Sequence, residues 1–209
     1  MKLPIITFST QDDLSQMLVR NLEKSIHLAG IDHPLVKTTC DLQGNSGYDS
    51  ESYWKILRSK ADNIYRVLGE FEQVLFVDND IVFLKNDMSY LESLLDKYDL
   101  ITGSDFPSHR CFISGFFFIT KKHRHIFHPE ITCATEFNHD NSGDQGILNE
   151  YLKNETTRVF MLSPTEYCNG WMWYNFRKSL NPVCVHYNWS TSLCEKIERM
   201  KKDGYWFIE

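Results

Sequence analysis

Val74-Leu75-Phe76-Val77-Asp78-Asn79-Asp80 sets four apolar residues directly before a pair of carboxylates. A continuous apolar run bounded by polar residues is the pattern of a central strand buried on both faces. In open α/β sheets, ligands sit beyond the carboxyl ends of such strands. Asp78 and Asp80 are two residues apart on extended chain, so they point to the same side. A hard divalent cation would neutralise charge concentrated in this way and bridge it to phosphate oxygens. Taken alone, the triplet reads equally well as a strand-end turn with two solvated acids, since Asx chemistry suits Asp-Asn-Asp.

The surrounding pattern supplies the fold. Upstream, Leu3 to Phe8 is apolar and β-branched and predicts a first strand. Asp12 and Asp13 signal a helix start; Leu14, Met17, Leu18, Leu22, Ile26 and Ala29 recur at helical spacing, and Gly30 ends the run. A second helix is expected from about Asp49 or Ser50, with Tyr53, Trp54, Leu57, Ala61, Ile64, Tyr65 and Leu68 on its apolar face and Gly69 closing it. Downstream, a short helix is expected around Met88 to Leu95, a strand at Leu100-Ile101 and a long strand over Phe112 to Thr120. A helix should begin at Gly143-Asp144, short strands should cover Val159 to Leu162 and Val183 to Val185, and a last helix Glu195 to Lys202. Strand–helix–helix–strand order points to an α/β fold with a mainly parallel sheet flanked by helices. No Pro/Gly/Ser-rich linker divides residues 1–209, so a single domain is expected, with a chain that could continue past its apolar end at Tyr205 to Glu209.

Charge and composition narrow the partners. With 22 basic against 28 acidic side chains, the net charge is -6. Little is gained from counterion release on a phosphate backbone, which argues against nucleic acid and against anionic membrane surfaces. Small basic spots such as Lys121-Lys122-His123-Arg124 and Lys201-Lys202 read as solvated surface. The longest near-apolar run, Phe112 to Ile119, is too short for a membrane span, and the N-terminus lacks the features of a signal peptide. A cytoplasmic protein is expected. Cys40, Cys111, Cys133, Cys168, Cys184 and Cys194 form no CxxC pair, so reduced thiols are expected, and the sequons at Asn154 and Asn188 read as chance matches.

Four strings occur in an order that carries a family resemblance. Lys60 precedes Val74 to Leu84 by one helix; Ile113-Ser114-Gly115-Phe116-Phe117-Phe118, Asp144-Gln145-Gly146-Ile147-Leu148-Asn149 and His186-Tyr187-Asn188-Trp189 follow. The set resembles the nucleotide-diphospho-sugar transferases of GT-A fold, a group that includes glycogenin-like and bacterial galactosyltransferase enzymes. In its compact length the chain looks most like the N-terminal glycosyltransferase domain of a multidomain chlorella-virus protein, which would imply a viral protein acting in the host cytoplasm.

The resemblance implies roles. Asp78, Asp80 and His186 would hold Mn²⁺ (or Mg²⁺), a mixed O/N shell more natural for manganese than for calcium. Asp78 and Asn79 would lie near the donor, and Thr7, Phe8 and Ser9 would line a uracil pocket. Lys60 would reach donor phosphate or sugar. Asp144 would hydrogen-bond the sugar hydroxyls and Gln145 would sit near the anomeric carbon, these two being the catalytic candidates. Ser114 and Asn188 complete the implied donor site, with Asp105, after the Leu100 to Thr102 strand, a further sugar-site candidate or simply a turn acid. Ile113 stands where the family carries asparagine, so a donor contact is missing or passes to Ser114. The implied reaction moves a hexose or 6-deoxyhexose from a UDP-sugar such as UDP-glucose to a glycan or glycoprotein acceptor, with retention.

Plainer or rival readings stand beside these. Asp144 at a helix start suits an N-cap. Lys60 suits a solvated helical lysine. Trp171-Met172-Trp173-Tyr174-Asn175-Phe176 serves as an acceptor platform or as ordinary packing. Asp78-x-Asp80 after an apolar strand also fits a haloacid-dehalogenase-type phosphatase with Asp78 as nucleophile. A catalytically silent nucleotide-sugar-binding module on the same fold is the third alternative.

Overall fold

The structure is a computed structural model that describes residues 2–42, 50–105, 112–134, 143–153 and 156–209. Expectations that rest on Asp49, Cys111 and Asn154, and on the side chain of Cys133, lie outside the described residues.

Nine strands and seven α-helices follow one another as β1 (Ile5–Thr10), α1 (Asp13–Leu28), β2 (Leu35–Cys40), α2 (Glu51–Glu70), β3 (Gln73–Val77), β4 (Ile81–Phe83), α3 (Met88–Leu94), β5 (Leu100–Ser104), β6 (Phe112–Thr120), α4 (Pro129–Ala134), α5 (Asp144–Tyr151), β7 (Val159–Met161), β8 (Tyr167–Cys168), α6 (Gly170–Phe176), β9 (Cys184–His186) and α7 (Leu193–Asp203) among the described residues. The main sheet has the order β2-β1-β3-β6-β5-β7. β6 runs antiparallel to both its neighbours, while the other pairings are parallel. The expected mainly parallel α/β sheet is therefore present.

Alternation along the strands explains why both faces are covered. Leu75 and Val77 pack with Leu22 and Ile26 of α1 and with Met88, Leu91 and Leu94 of α3. Val74 and Phe76 pack on the opposite face with Ala61, Ile64 and Leu68 of α2 and Ile147 and Leu148 of α5. Phe116 and Phe118 against Phe117 and Ile119 repeat the split on β6. A second sheet, β4-β9-β8, rests on a third apolar cluster with Leu18, Trp173, Ile197 and Met200. No helix among the described residues is long and apolar enough to cross a membrane.

Two local expectations change. Gly69 does not close α2, which runs on to Glu70. A β-carbon on Gly69 would stand 3.0 Å from Nη2 of Arg124, whose guanidinium lies over the Tyr65 ring and whose Nε donates to the Tyr65 carbonyl. The glycine makes room for that cation rather than for a turn. Leu35–Cys40 is an edge strand that the apolar pattern does not announce, since only Thr38 along it is fully buried.

Candidate functional site

The carboxyl end of β3 delivers Asp78. Its backbone N–H donates to the Gly115 carbonyl at 2.8 Å, and its own carbonyl accepts from Ile81 at 3.3 Å. The tight turn swings the chain from the main sheet into β4. β4 pairs antiparallel with β9, setting Ile81 opposite His186, and Tyr187 N–H donates to the Asp80 carbonyl at 2.9 Å. Two sheets meet at these residues, and the meeting point gathers side chains far apart in sequence.

Candidate ligand atoms of Asp78, Asp80 and His186 all lie within 4.8 Å of one another. His186 Nε2 is 3.1 Å from Asp80 Oδ1 and 3.6 Å from Asp78 Oδ2. Asp80 and His186 are buried and Asp78 is half-buried. His186 Nδ1 is buried without a hydrogen-bond partner.

Lysines flank the cluster. Lys60, 4% exposed, stands between Asp78 Oδ1 at 2.8 Å and Asp144 Oδ2 at 2.9 Å. The solvated-lysine reading of Lys60 is thus set aside. Burial works against its charge, yet Asp144 and Asp78 outweigh burial and raise its pKa above the usual lysine value. Lys196, on the first turn of α7, reaches Asp80 Oδ2 at 2.7 Å. Burial opposes ionisation of Asp80, but Lys196 and His186 prevail and hold its carboxyl well below the usual range. Lys196 is raised in turn, Asp80 overcoming the cost of burial.

A second polar network adjoins this one. Asp105 accepts from Gln145 Nε2 at 3.0 Å and from Asn188 Nδ2 at 3.2 Å. Gln145 Oε1 accepts from the Ser114 N–H at 3.4 Å, and Asn188 Oδ1 from the Gly170 N–H at 2.7 Å. An acceptor-only carboxylate on one side and an N–H on the other leave one orientation for the Gln145 amide.

The structure thus brings together Lys60, Asp78, Asp80, Asp144 and His186, and next to them Asp105, Ser114, Gln145 and Asn188. Asn79 turns away and donates to Ser15 Oγ at 3.0 Å, tying the turn to α1. Thr7, Phe8 and Ser9 are buried in β1; Phe8 packs under α2, and Ser9 Oγ accepts from Gln16 Nε2 at 3.1 Å. The capping role anticipated for Asp144 falls to Gly143, with Asp144 the first helical residue, its carboxylate on Lys60. The aromatic string divides: Trp173 is buried and donates to Asp203 at 2.7 Å, while Phe176 is exposed and packs edge-on against Trp171.

Two participants were given no role of their own by the sequence. Lys196 is one; adjacency to buried Ile197 was its only local signal. Gly115 is the other. A β-carbon there would stand 2.2 Å from His186 Cε1 and 2.6 Å from Asp78 Oδ2, so only glycine lets β6 pass beneath the cluster.

The nucleotide-diphospho-sugar transferase family model matches residues 5–200. No curated protein matches the sequence. Among solved structures, the chain is similar to a glycosyltransferase involved in glycosylation of the major capsid of PBCV-1, with TM-score 0.69 and 15% identity over 97% of this chain and 100% of that one. It is also similar to the glycosyltransferase GlyE of Streptococcus pneumoniae TIGR4, with TM-score 0.66 and 15% identity over 100% of this chain and 61% of that one. The galactosyltransferase LgtC, solved with donor and acceptor sugar analogs, gives TM-score 0.54 and 14% identity over 96% of this chain and 94% of that one. At such identities the likeness speaks for the fold, which is GT-A.

Proposed function

Because this chain belongs to the nucleotide-diphospho-sugar transferase family, we propose that it moves a hexosyl or 6-deoxyhexosyl group from a UDP-sugar to a glycan acceptor, using a divalent cation held by Asp78, Asp80 and His186. The observation that carries this reading is the convergence of those ligand atoms within 4.8 Å beyond the end of β3. Two carboxylates and an imidazole match Mn²⁺ or Mg²⁺, the nitrogen favouring manganese. The bare Gly115 keeps a β-carbon out of the space beside the imidazole and the Asp78 carboxylate. A cation bound there would supply Lewis-acid stabilisation of the charge that develops on the departing diphosphate.

The remaining work falls to the chain's own groups. Lys60 fixes both Asp78 and Asp144, so the cation side and the sugar side of the site share one ammonium. On this reading Asp144, paired with Lys60, accepts hydrogen bonds from donor hydroxyls. Gln145 presents an amide already oriented by Asp105 and Ser114, an arrangement suited to holding an anomeric centre without reorganisation. Inversion would require a carboxylate base on the acceptor side. Asp105, the carboxylate nearest Gln145 in this network, has both oxygens engaged by amide N–H groups. That commitment to positioning supports retention. Family membership displaces the phosphatase alternative, in which Asp78 would be a nucleophile.

A panel of UDP-sugars (glucose, galactose, rhamnose) incubated with Mn²⁺ and read by UDP release tests the proposal. Slow release from one donor that stops on chelation is the expected result, together with loss of metal-dependent UDP binding in Asp80→Ala and His186→Ala. Full binding in both variants would remove the assigned site. Metal-dependent UDP binding with no turnover of any donor would instead make the chain a silent binding module.

A further inference from the structure

Every oxygen that the candidate cation site offers already faces a basic group. Asp80 Oδ1 lies 3.1 Å from His186 Nε2 and Oδ2 lies 2.7 Å from Lys196 Nζ. Asp78 Oδ1 is paired with Lys60 at 2.8 Å, and Oδ2 faces His186 at 3.6 Å. The two lysines differ in what they keep if one carboxylate is taken. Lys60 would release Asp78 and retain Asp144. Lys196 has its one close carboxylate contact, among the described residues, with Asp80.

Asp80 is 2% exposed, so it cannot turn outward to serve a second cation from another side. An arriving divalent ion would meet Asp80 at Oδ1, beside the imidazole, and would share the carboxylate with Lys196 on Oδ2. The ammonium would then stand across a single carboxylate from a doubly charged ion, an arrangement that like-charge repulsion opposes. α7 itself is fixed: Ser192 caps it, Ile197 and Met200 are buried, and Asn21 Nδ2 donates to the Tyr205 carbonyl just beyond it. Only the flexible lysine stem can give way. A phosphate group arriving with the metal would relieve the conflict by pairing with the ammonium.

Resting on the cation-site reading above, we propose that Lys196 is a positioning residue that couples metal binding to nucleotide binding. Its charge opposes free divalent metal at Asp80, and that opposition is lifted when metal and a nucleoside diphosphate arrive together. Such coupling is reciprocal, and typical coupling factors run from about five- to about 150-fold.

The test is Mn²⁺ binding, followed by the electron paramagnetic resonance signal of the free aquo ion, in the wild type and in Lys196→Met, with and without UDP. Mn²⁺ alone should bind Lys196→Met about tenfold more tightly than wild type, and the enhancement by UDP should shrink by about tenfold. Lys196→Arg, which keeps the charge, should behave as wild type. If thermal melts show Lys196→Met unfolded, Lys196→Gln replaces it. Unchanged affinity for Mn²⁺ alone in the neutral variant overturns the coupling while leaving the site intact. Failure of wild type to bind Mn²⁺ even with UDP overturns the cation site and the coupling with it.

Discussion

Gly115 on β6 and His186 on β9 approach so closely that a β-carbon on the glycine would stand 2.2 Å from the imidazole Cε1. The contact joins the main sheet to the small one at the point where the candidate ligands converge. Gly115→Ala should therefore displace His186 or Asp78 rather than be absorbed by a flexible neighbour. Overpacking of this kind costs about 1–3 kcal/mol. Urea denaturation should show that loss without unfolding at rest, while calorimetry should show metal-dependent UDP binding reduced by about a hundredfold. Binding at the wild-type level would mean that the imidazole is not needed where it stands.

Lys60 carries a different mixture of stability and function. Its ammonium lies between two carboxylates, and Asp144 is 2% exposed. Removing one partner of a buried ion pair leaves uncompensated charge and costs about 3–5 kcal/mol. Lys60→Met should fall in that range by chemical denaturation. Adding Asp144→Asn to it should recover part of the loss, because the neutral amide no longer needs a cation. A double variant less stable than Lys60→Met alone would contradict the assigned pairing.

Asp105 separates positioning from binding. Asparagine at this site offers a single acceptor oxygen to two amide donors, Gln145 Nε2 and Asn188 Nδ2. One of the two contacts must go, at about 1 kcal/mol in stability. Asp105→Asn should lower kcat by about tenfold or more through a misoriented Gln145 amide. Mn²⁺-dependent UDP binding should survive, since Asp78, Asp80 and His186 do not touch Asp105 in this network. Equal kcat in variant and wild type would assign Asp105 a purely structural place.

The same residues show what sequence can and cannot reveal. β3 and β6 were legible because both of their faces are buried, which writes an uninterrupted apolar run into the chain. β2 was not, because an edge strand reading Leu-Val-Lys-Thr-Thr-Cys buries little and carries no such run. Asp78, Asp80 and His186 came from short local strings whose context matched a family. Lys196 had no string: its partner Asp80 lies 116 positions away, and exposed Lys201 and Lys202 in the same helix made it look like one more solvated lysine. Gly115 was read as part of a motif, but its need to be glycine comes from β9, which pattern alone does not bring near.

The far end of β5 supplies a prediction with a defined pH window. Asp99 accepts from Arg158 Nε at 3.1 Å, Nη2 at 3.2 Å and the Arg158 backbone N–H at 3.1 Å. These contacts, led by the side-chain hydrogen bond and opposed by burial, lower the Asp99 pKa to about 2. An unfolded chain would give it a pKa of about 3.9. A folded pKa below the unfolded one means that the folded state favours the carboxylate. Its contribution is therefore complete above about pH 4 and fades as pH falls through about 2. Arg158 is largely exposed, so solvent screening limits the neutral-pH effect of Asp99→Asn to about 1 kcal/mol. Urea midpoints of wild type and Asp99→Asn should differ at pH 7 and converge between about pH 4 and pH 2. A gap that stays constant across that range would show that Asp99 acts through its hydrogen-bond shape rather than its charge.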